Sequence, residues 1–144
     1  MVRKIKGFTI TEILIVIGII IVLASIAYPS YVQHNIRTHR VDMQAEMIRI
    51  AGALQRYQMQ NSTYLLDDKP ITLSDLSIEE VYPSVGTAHY ELTLSNVSAG
   101  TWTLTARPIE SSIQDGNGEI VLTHSGAKCW IESKSCVPSA SSTW

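Results

Sequence analysis

Residues 1–28 read MVRKIKGFTITEILIVIGIIIVLASIAY, and this stretch decides the architecture. Arg3, Lys4 and Lys6 lead, Gly7 and Phe8 follow, and an almost wholly apolar run continues to Ala27. At about 1.5 Å per residue, Phe8 to Ala27 makes roughly 30 Å of helix, the thickness of a hydrocarbon core. The basic residues ahead of the run keep that end in the cytoplasm and send the rest of the chain across the membrane. One charge, Glu12, interrupts the run. A charged side chain at mid-membrane costs on the order of 2.5–3.5 kcal/mol on insertion scales, so a carboxylate kept there has a use. A secretory signal cleaved after Ser25-Ile26-Ala27 is the plain alternative, as is a simple single-span anchor. Glu12 and the length of the run argue against the first.

The motif KGFTITE with its apolar tail resembles the class III signal of type IV prepilins. The resemblance implies that a prepilin peptidase, also an N-methyltransferase, cuts after Gly7 and methylates the new N-terminus at Phe8. It implies further that Glu12 pairs with the terminal amine of a neighbouring subunit in a filament. The domain scheme expected is then a leader at 1–7, a transmembrane and filament-core helix at 8–33, and a periplasmic or extracellular domain at 34–144.

Beyond the anchor the composition turns amphipathic. Met43, Met47, Ile50, Leu54 and Tyr57 recur at spacings of four and three, one face of a helix, while Asp42, Glu46, Arg49 and Arg56 fall elsewhere. Glu46 and Arg49 form an i,i+3 pair. One long helix is therefore expected from about Phe8 to about Gln60, with Pro29 as a kink point. Tyr64 to Thr87 reads as a connecting loop, in which Ser77-Ile-Glu-Glu80 has capping-box spacing and predicts a short helical turn before Pro83. The period then changes to two. Tyr90, Leu92 and Leu94 alternate with polar residues, as do Trp102, Leu104 and Ala106, across a hairpin loop at Ser95–Gly100. A third strand follows at Glu119–Thr123 and a short fourth at Lys128–Trp130. The expected class is α+β: a long N-terminal helix, membrane-spanning in its first half and amphipathic in its second, packed on an antiparallel sheet of three to four strands. Over the whole chain this order resembles the type IV pilin fold.

The 144 residues suffice for one anchor and one small domain. The formal charge is −2, and removal of the three leader cations takes it near −5, which excludes a basic nucleic-acid-binding protein by bulk charge. Cys129 and Cys136 are the two cysteines, and in an oxidising compartment they favour a disulfide. In the pilin family such a bridge staples a C-terminal surface segment. Minor pilins that this chain resembles often carry one cysteine at the turn where Asn117 stands here, and the present sequence departs from that pattern. Two cysteines without a histidine pair do not predict a metal site, and Asp115-Gly-Asn-Gly118 reads as a plain turn rather than a calcium loop. His34, Arg37, His39 and Arg40 are expected to touch headgroups or a neighbouring subunit. Trp130 beside Lys128 and Lys134 is expected to be a packed ring with solvated lysines, with DNA contact as the alternative use. No catalytic constellation and no cofactor motif appears, so no enzyme activity is expected.

The reading is a subunit similar to PilE-type minor pilins. It is expected in the bacterial inner membrane as a prepilin, then in a pilus for twitching motility, adhesion or DNA uptake. Its expected partners are other pilins, the peptidase, the membrane and an inner-membrane assembly platform. A type II secretion pseudopilin and a DNA-binding receptor pilin are the alternatives.

Overall fold

The computed structural model describes residues 8–144, and the Gly7 cleavage position lies outside that range. The described chain falls into two compact units, the first ending at Asn35 and the second comprising Ile36–Trp144. Helix α1, Ile10–Asn61, contributes to both and includes Pro29 within its helical run. Asn61 closes it by donating from its side-chain amide to the Tyr57 carbonyl.

In the first unit every residue from Phe8 to Tyr31 is exposed. Phe8 is 80% exposed, and Ile, Leu and Val side chains stand uncovered all round the helix. A helix apolar on every side needs lipid or other helices around it. It is long and apolar enough to cross a membrane.

In the second unit the predicted stripe is the core. Met43, Met47, Ile50 and Leu54 are fully buried, and half-buried Tyr57 packs beside them. They meet Tyr90, Leu92, Trp102, Leu104, Ala106, Ile120 and Leu122 in one cluster. The opposite face carries the expected Glu46–Arg49 ion pair, with Arg49 Nε donating to Glu46 Oε2 at 2.8 Å.

The sheet has five strands, not three to four. They are β3 (Val81–Tyr82), β4 (Tyr90–Ser95), β5 (Thr103–Pro108), β6 (Ile120–Thr123) and β7 (Lys128–Trp130), antiparallel and in chain order. A separate ribbon, β1 (Leu65–Leu66) with β2 (Lys69–Pro70), lies within the stretch read as loop. The additional strand β3 falls where a helical turn was expected. Ser77 does not cap a helix; it sits at φ 56° and ends the 3-10 turn Ser74–Leu76. The chain beyond it pairs with β4 instead, Val81 opposite Glu91 and Tyr82 opposite Tyr90. The five residues between Ser77 and Pro83 leave little more than one turn for a helix, whereas a two-residue edge strand fits there.

Strand β6 departs from alternation, with Ile120, Val121 and Leu122 all buried. Val121 pairs in register with Cys129, and both are buried outside the main core cluster. Cys129 is bonded to Cys136.

Candidate functional site

The start of α1 is the first candidate. Thr9 precedes the helix, and Glu12 lies in its first turn. The Glu12 N–H donates to Thr9 Oγ1 at 3.3 Å, and the Thr9 N–H donates to Glu12 Oε2 at 3.4 Å. This reciprocal pair satisfies two backbone donors that a helix start otherwise leaves orphaned. Its signal, Thr-x-x-Glu ahead of an apolar run, stands in the sequence and was not among the expected features. Glu12 thus caps its own helix, and its exposed carboxylate faces no cation among the described residues.

The second candidate is a polar latch in the domain, which sequence reasoning also missed. Gln114 immediately precedes the Asp115–Gly118 turn and is 0% exposed. Its Nε2 donates to the Ile36 carbonyl at 2.9 Å, and its Oε1 accepts from Tyr90 Oη at 2.7 Å and Asn117 Nδ2 at 2.6 Å. Asn117 passes the network on: its Oδ1 accepts from Arg40 at 3.0 Å, and its carbonyl accepts from Trp130 Nε1 at 2.8 Å. Burial pushes the Tyr90 phenol up to about 12, against the opposing pull of Asn117 and the Arg40 charge.

Two of the cations expected to meet headgroups or a neighbouring subunit are internal ties. The Arg40 guanidinium lies 3.7 Å above the Trp130 ring, and His39 stacks on His89 at 4.5 Å between ring centroids. Burial holds His89 below the usual imidazole range, and His39 adds to that shift. The cation over Trp130 is therefore Arg40, and Lys128 lies instead over the C-terminal Trp144, 5.0 Å from its centroid. The Asp115–Gly118 turn is closed by contact with the disulfide segment: Ser133 Oγ donates to the Gly116 carbonyl at 2.8 Å. A Cβ on Gly118, at φ +85°, would fall 2.1 Å from the Ile131 carbonyl oxygen, so only glycine fits there.

A capped, uncovered apolar helix and a domain of helix stripe, antiparallel sheet and stapled C-terminus define a type IV pilin. Comparison with known proteins agrees. A family model described as the prokaryotic N-terminal methylation motif matches residues 2–28. A second, described as type IV minor pilin ComP, DNA uptake sequence receptor, matches residues 29–120, more than half of the chain. The chain belongs to this type IV minor pilin family.

It is also similar to the type II secretion system core protein G of Klebsiella pneumoniae, 36% identical over 59 residues, covering 41% of this chain and 42% of that protein. The core protein G of Klebsiella michiganensis is 31% identical over 80 residues, covering 56% and 53%. The chain thus spans about half the length of the curated relatives it matches. Among solved structures, the Neisseria meningitidis non-core minor pilin PilV shares the fold with a TM-score of 0.54 at 20% identity, over 73% of this chain and 95% of that one. Family and N-terminal motif carry with them anchoring in the inner membrane and then a place in the pilus at the cell surface.

Proposed function

We propose that cleavage between Gly7 and Phe8 removes a leader at 1–7, that the new Phe8 amine is methylated, and that Glu12 pairs with that amine on a neighbouring subunit. Segment 8–33 anchors the prepilin, an inner-membrane assembly platform moves it from lipid into a filament, and 34–144 acts outside. The chain works as a subunit, not as an enzyme, and needs no cofactor or metal. One observation carries this reading. A helix exposed and apolar on every side is headed by a single carboxylate that meets no cation among the described residues. An unpaired charge leaving water is heavily penalised, so a partner amine selects the register in which helices pack.

The test is Glu12→Ala. Membrane insertion and cleavage persist, incorporation into sheared filaments falls sharply, and mature subunit accumulates in the inner membrane. Wild-type abundance in filaments overturns the pairing.

DNA capture by the domain is the second reading. It is supported by the description of the matched family as a DNA uptake sequence receptor and by the ammonium of Lys128 lying on the Trp144 ring at the domain surface. A pseudopilin role has weaker support, from matches to core protein G that cover 41% and 56% of the chain.

A further inference from the structure

Two of the chain's four histidines, far apart in sequence, lie ring against ring. His39 comes from α1 and His89 from the residue just before β4, with ring centroids 4.5 Å apart and planes tilted by 55°. Both are half-buried. Among the described residues the His89 Nδ1 is buried and meets no hydrogen-bond partner. A neutral imidazole can leave one nitrogen bare, whereas an imidazolium carries a proton on both. Charging His89 therefore places a donor at a buried position that offers no acceptor. It also sets a cation against a second ring that takes up a proton in the same pH range.

The backbone makes His89 a junction. Its N–H donates to the Tyr82 carbonyl of β3 at 2.7 Å, and its carbonyl accepts from the Ile109 N–H at 2.9 Å and from Ser112 Oγ at 3.4 Å. Among the described residues neither ring forms an ion pair with a carboxylate. On α1, Arg40 is turned to Asn117 and Trp130. Asp42, one helical turn beyond His39, bears on the Tyr82 phenol, which burial first, then Asp42 and Glu46, push up and keep neutral. The Tyr90 phenol beside His89 is neutral as well. In the connection after β5, Glu110 is exposed and Asp115 accepts from the Ser111 N–H.

We propose that His39 and His89 form an acid-sensitive clasp between α1 and the start of β4, closed while both rings are neutral and forced apart once they take up protons. With the domain outside the cytoplasm, as proposed above, the clasp makes its firmness follow the pH of the surroundings. The direction follows from His89. Burial first, then the His39 charge, holds it below the ordinary imidazole range. The unfolded chain therefore binds this proton before the folded chain does. The clasp's contribution is whole above about pH 6.5 and is lost as the pH falls below it.

The full-length chain in mild detergent micelles is unfolded with urea at pH values from about 8 down to about 5, the range in which imidazoles change charge, and followed by intrinsic fluorescence. His89→Phe and His39→Phe each keep a ring in the stack and remove its proton. Circular dichroism at the alkaline end, where the wild-type rings are neutral, shows that each variant is folded. As the pH falls, the wild-type unfolding constant rises by up to about tenfold per pH unit for the proton that His89 takes up on unfolding. His89→Phe lacks this rise, and His39→Phe keeps a smaller one. His34 and His124 are present in all three chains, so the difference between the curves belongs to the pair. Nuclear magnetic resonance of labelled imidazoles in the wild type reads the rings directly. His89 titrates below about 6.5, and its midpoint moves up in His39→Phe. If one variant fails to fold, the other and the wild-type ring titration decide. A constant offset between variant and wild-type curves at every pH assigns the rings to packing alone and overturns the clasp. A His89 ring that titrates at the ordinary imidazole value, unmoved by His39→Phe, overturns it as well.

Discussion

Replacing Gln114 by alanine removes the centre of the latch and tests whether a polar network, rather than the apolar core alone, holds the β5–β6 connection to α1. The carboxamide is fully buried and makes three hydrogen bonds. Alanine leaves the Tyr90 hydroxyl and the Asn117 amide as buried donors without their acceptor. At about 1–3 kcal/mol for each such group, the expected loss is about 2–6 kcal/mol, before any contribution from the cavity. The Ile36 carbonyl adds little, because it lies within a helix whose own amides supply a donor. Trp102, Trp130 and Trp144 are the three tryptophans and all lie in the Ile36–Trp144 unit, so urea unfolding of the full chain in mild detergent, followed by intrinsic fluorescence, reads that unit alone. A second arm isolates the bond itself. Tyr90→Phe with Gln114→Leu removes donor and acceptor together, and the double variant should be less destabilised than the sum of the singles by more than about 0.5 kcal/mol. A loss under about 0.5 kcal/mol for Gln114→Ala, or strict additivity of the pair, refutes the latch.

Leu54→Ala opens a cavity at a fully buried position of the stripe and should cost about 2–5 kcal/mol in the same urea assay. The Cys129–Cys136 bridge closes a loop with a sequence separation of 7, and its reduction should lower stability by about 2–3 kcal/mol, read as a shifted urea midpoint with and without reductant. Tyr90 supplies an alkaline signature. Its folded-state pKa lies above the unfolded value, so its contribution is complete below pH 10 and is lost as the pH rises towards about 12. A stability profile that falls over that window in the wild type and flattens in Tyr90→Phe confirms the assignment.

The parts legible in the sequence are those written as period. Met43, Met47, Ile50 and Leu54 announce a helix face, and Tyr90 and Leu92, then Trp102, Leu104 and Ala106, announce strands, because burial repeats with the backbone geometry. What escaped is polar and aperiodic. Gln114 lies among Asp, Asn and Gly residues that read as a solvated turn, and nothing local distinguishes a glutamine facing water from one facing Tyr90. Arg40 likewise reads as a surface cation until Asn117 and Trp130, both far along the chain, come beside it. The departure at Asn117, where related minor pilins often carry a cysteine, is filled by hydrogen bonds to Gln114, Arg40 and Trp130. The same i,i+3 spacing gave opposite outcomes at Thr9–Glu12 and Ser77–Glu80. The first opens onto a long apolar run that sustains a helix, whereas the second meets Pro83 and a strand partner. A capping motif thus carries weight only through the segment that follows it.

Glu12 therefore has two physical roles to separate. It caps α1 through the Thr9 N–H, and it offers a charge that no cation among the described residues matches. Glu12→Ala removes both, so its failure to assemble does not say which role matters. Glu12→Gln does, because a glutamine completes the capping box as well as a glutamate while carrying no charge. Pairing with a neighbour's amine predicts that Gln behaves like Ala: normal insertion, normal cleavage, and filaments depleted of the subunit. A cap-only role predicts that Gln assembles like the wild type, while Thr9→Val, which keeps the carboxylate and removes the hydroxyl acceptor, fails. Charge pairing gives the reverse order, with Thr9→Val assembling and Glu12→Gln absent from sheared filaments. Wild-type filament content in Glu12→Gln would sink the charge mechanism even if Glu12→Ala had failed.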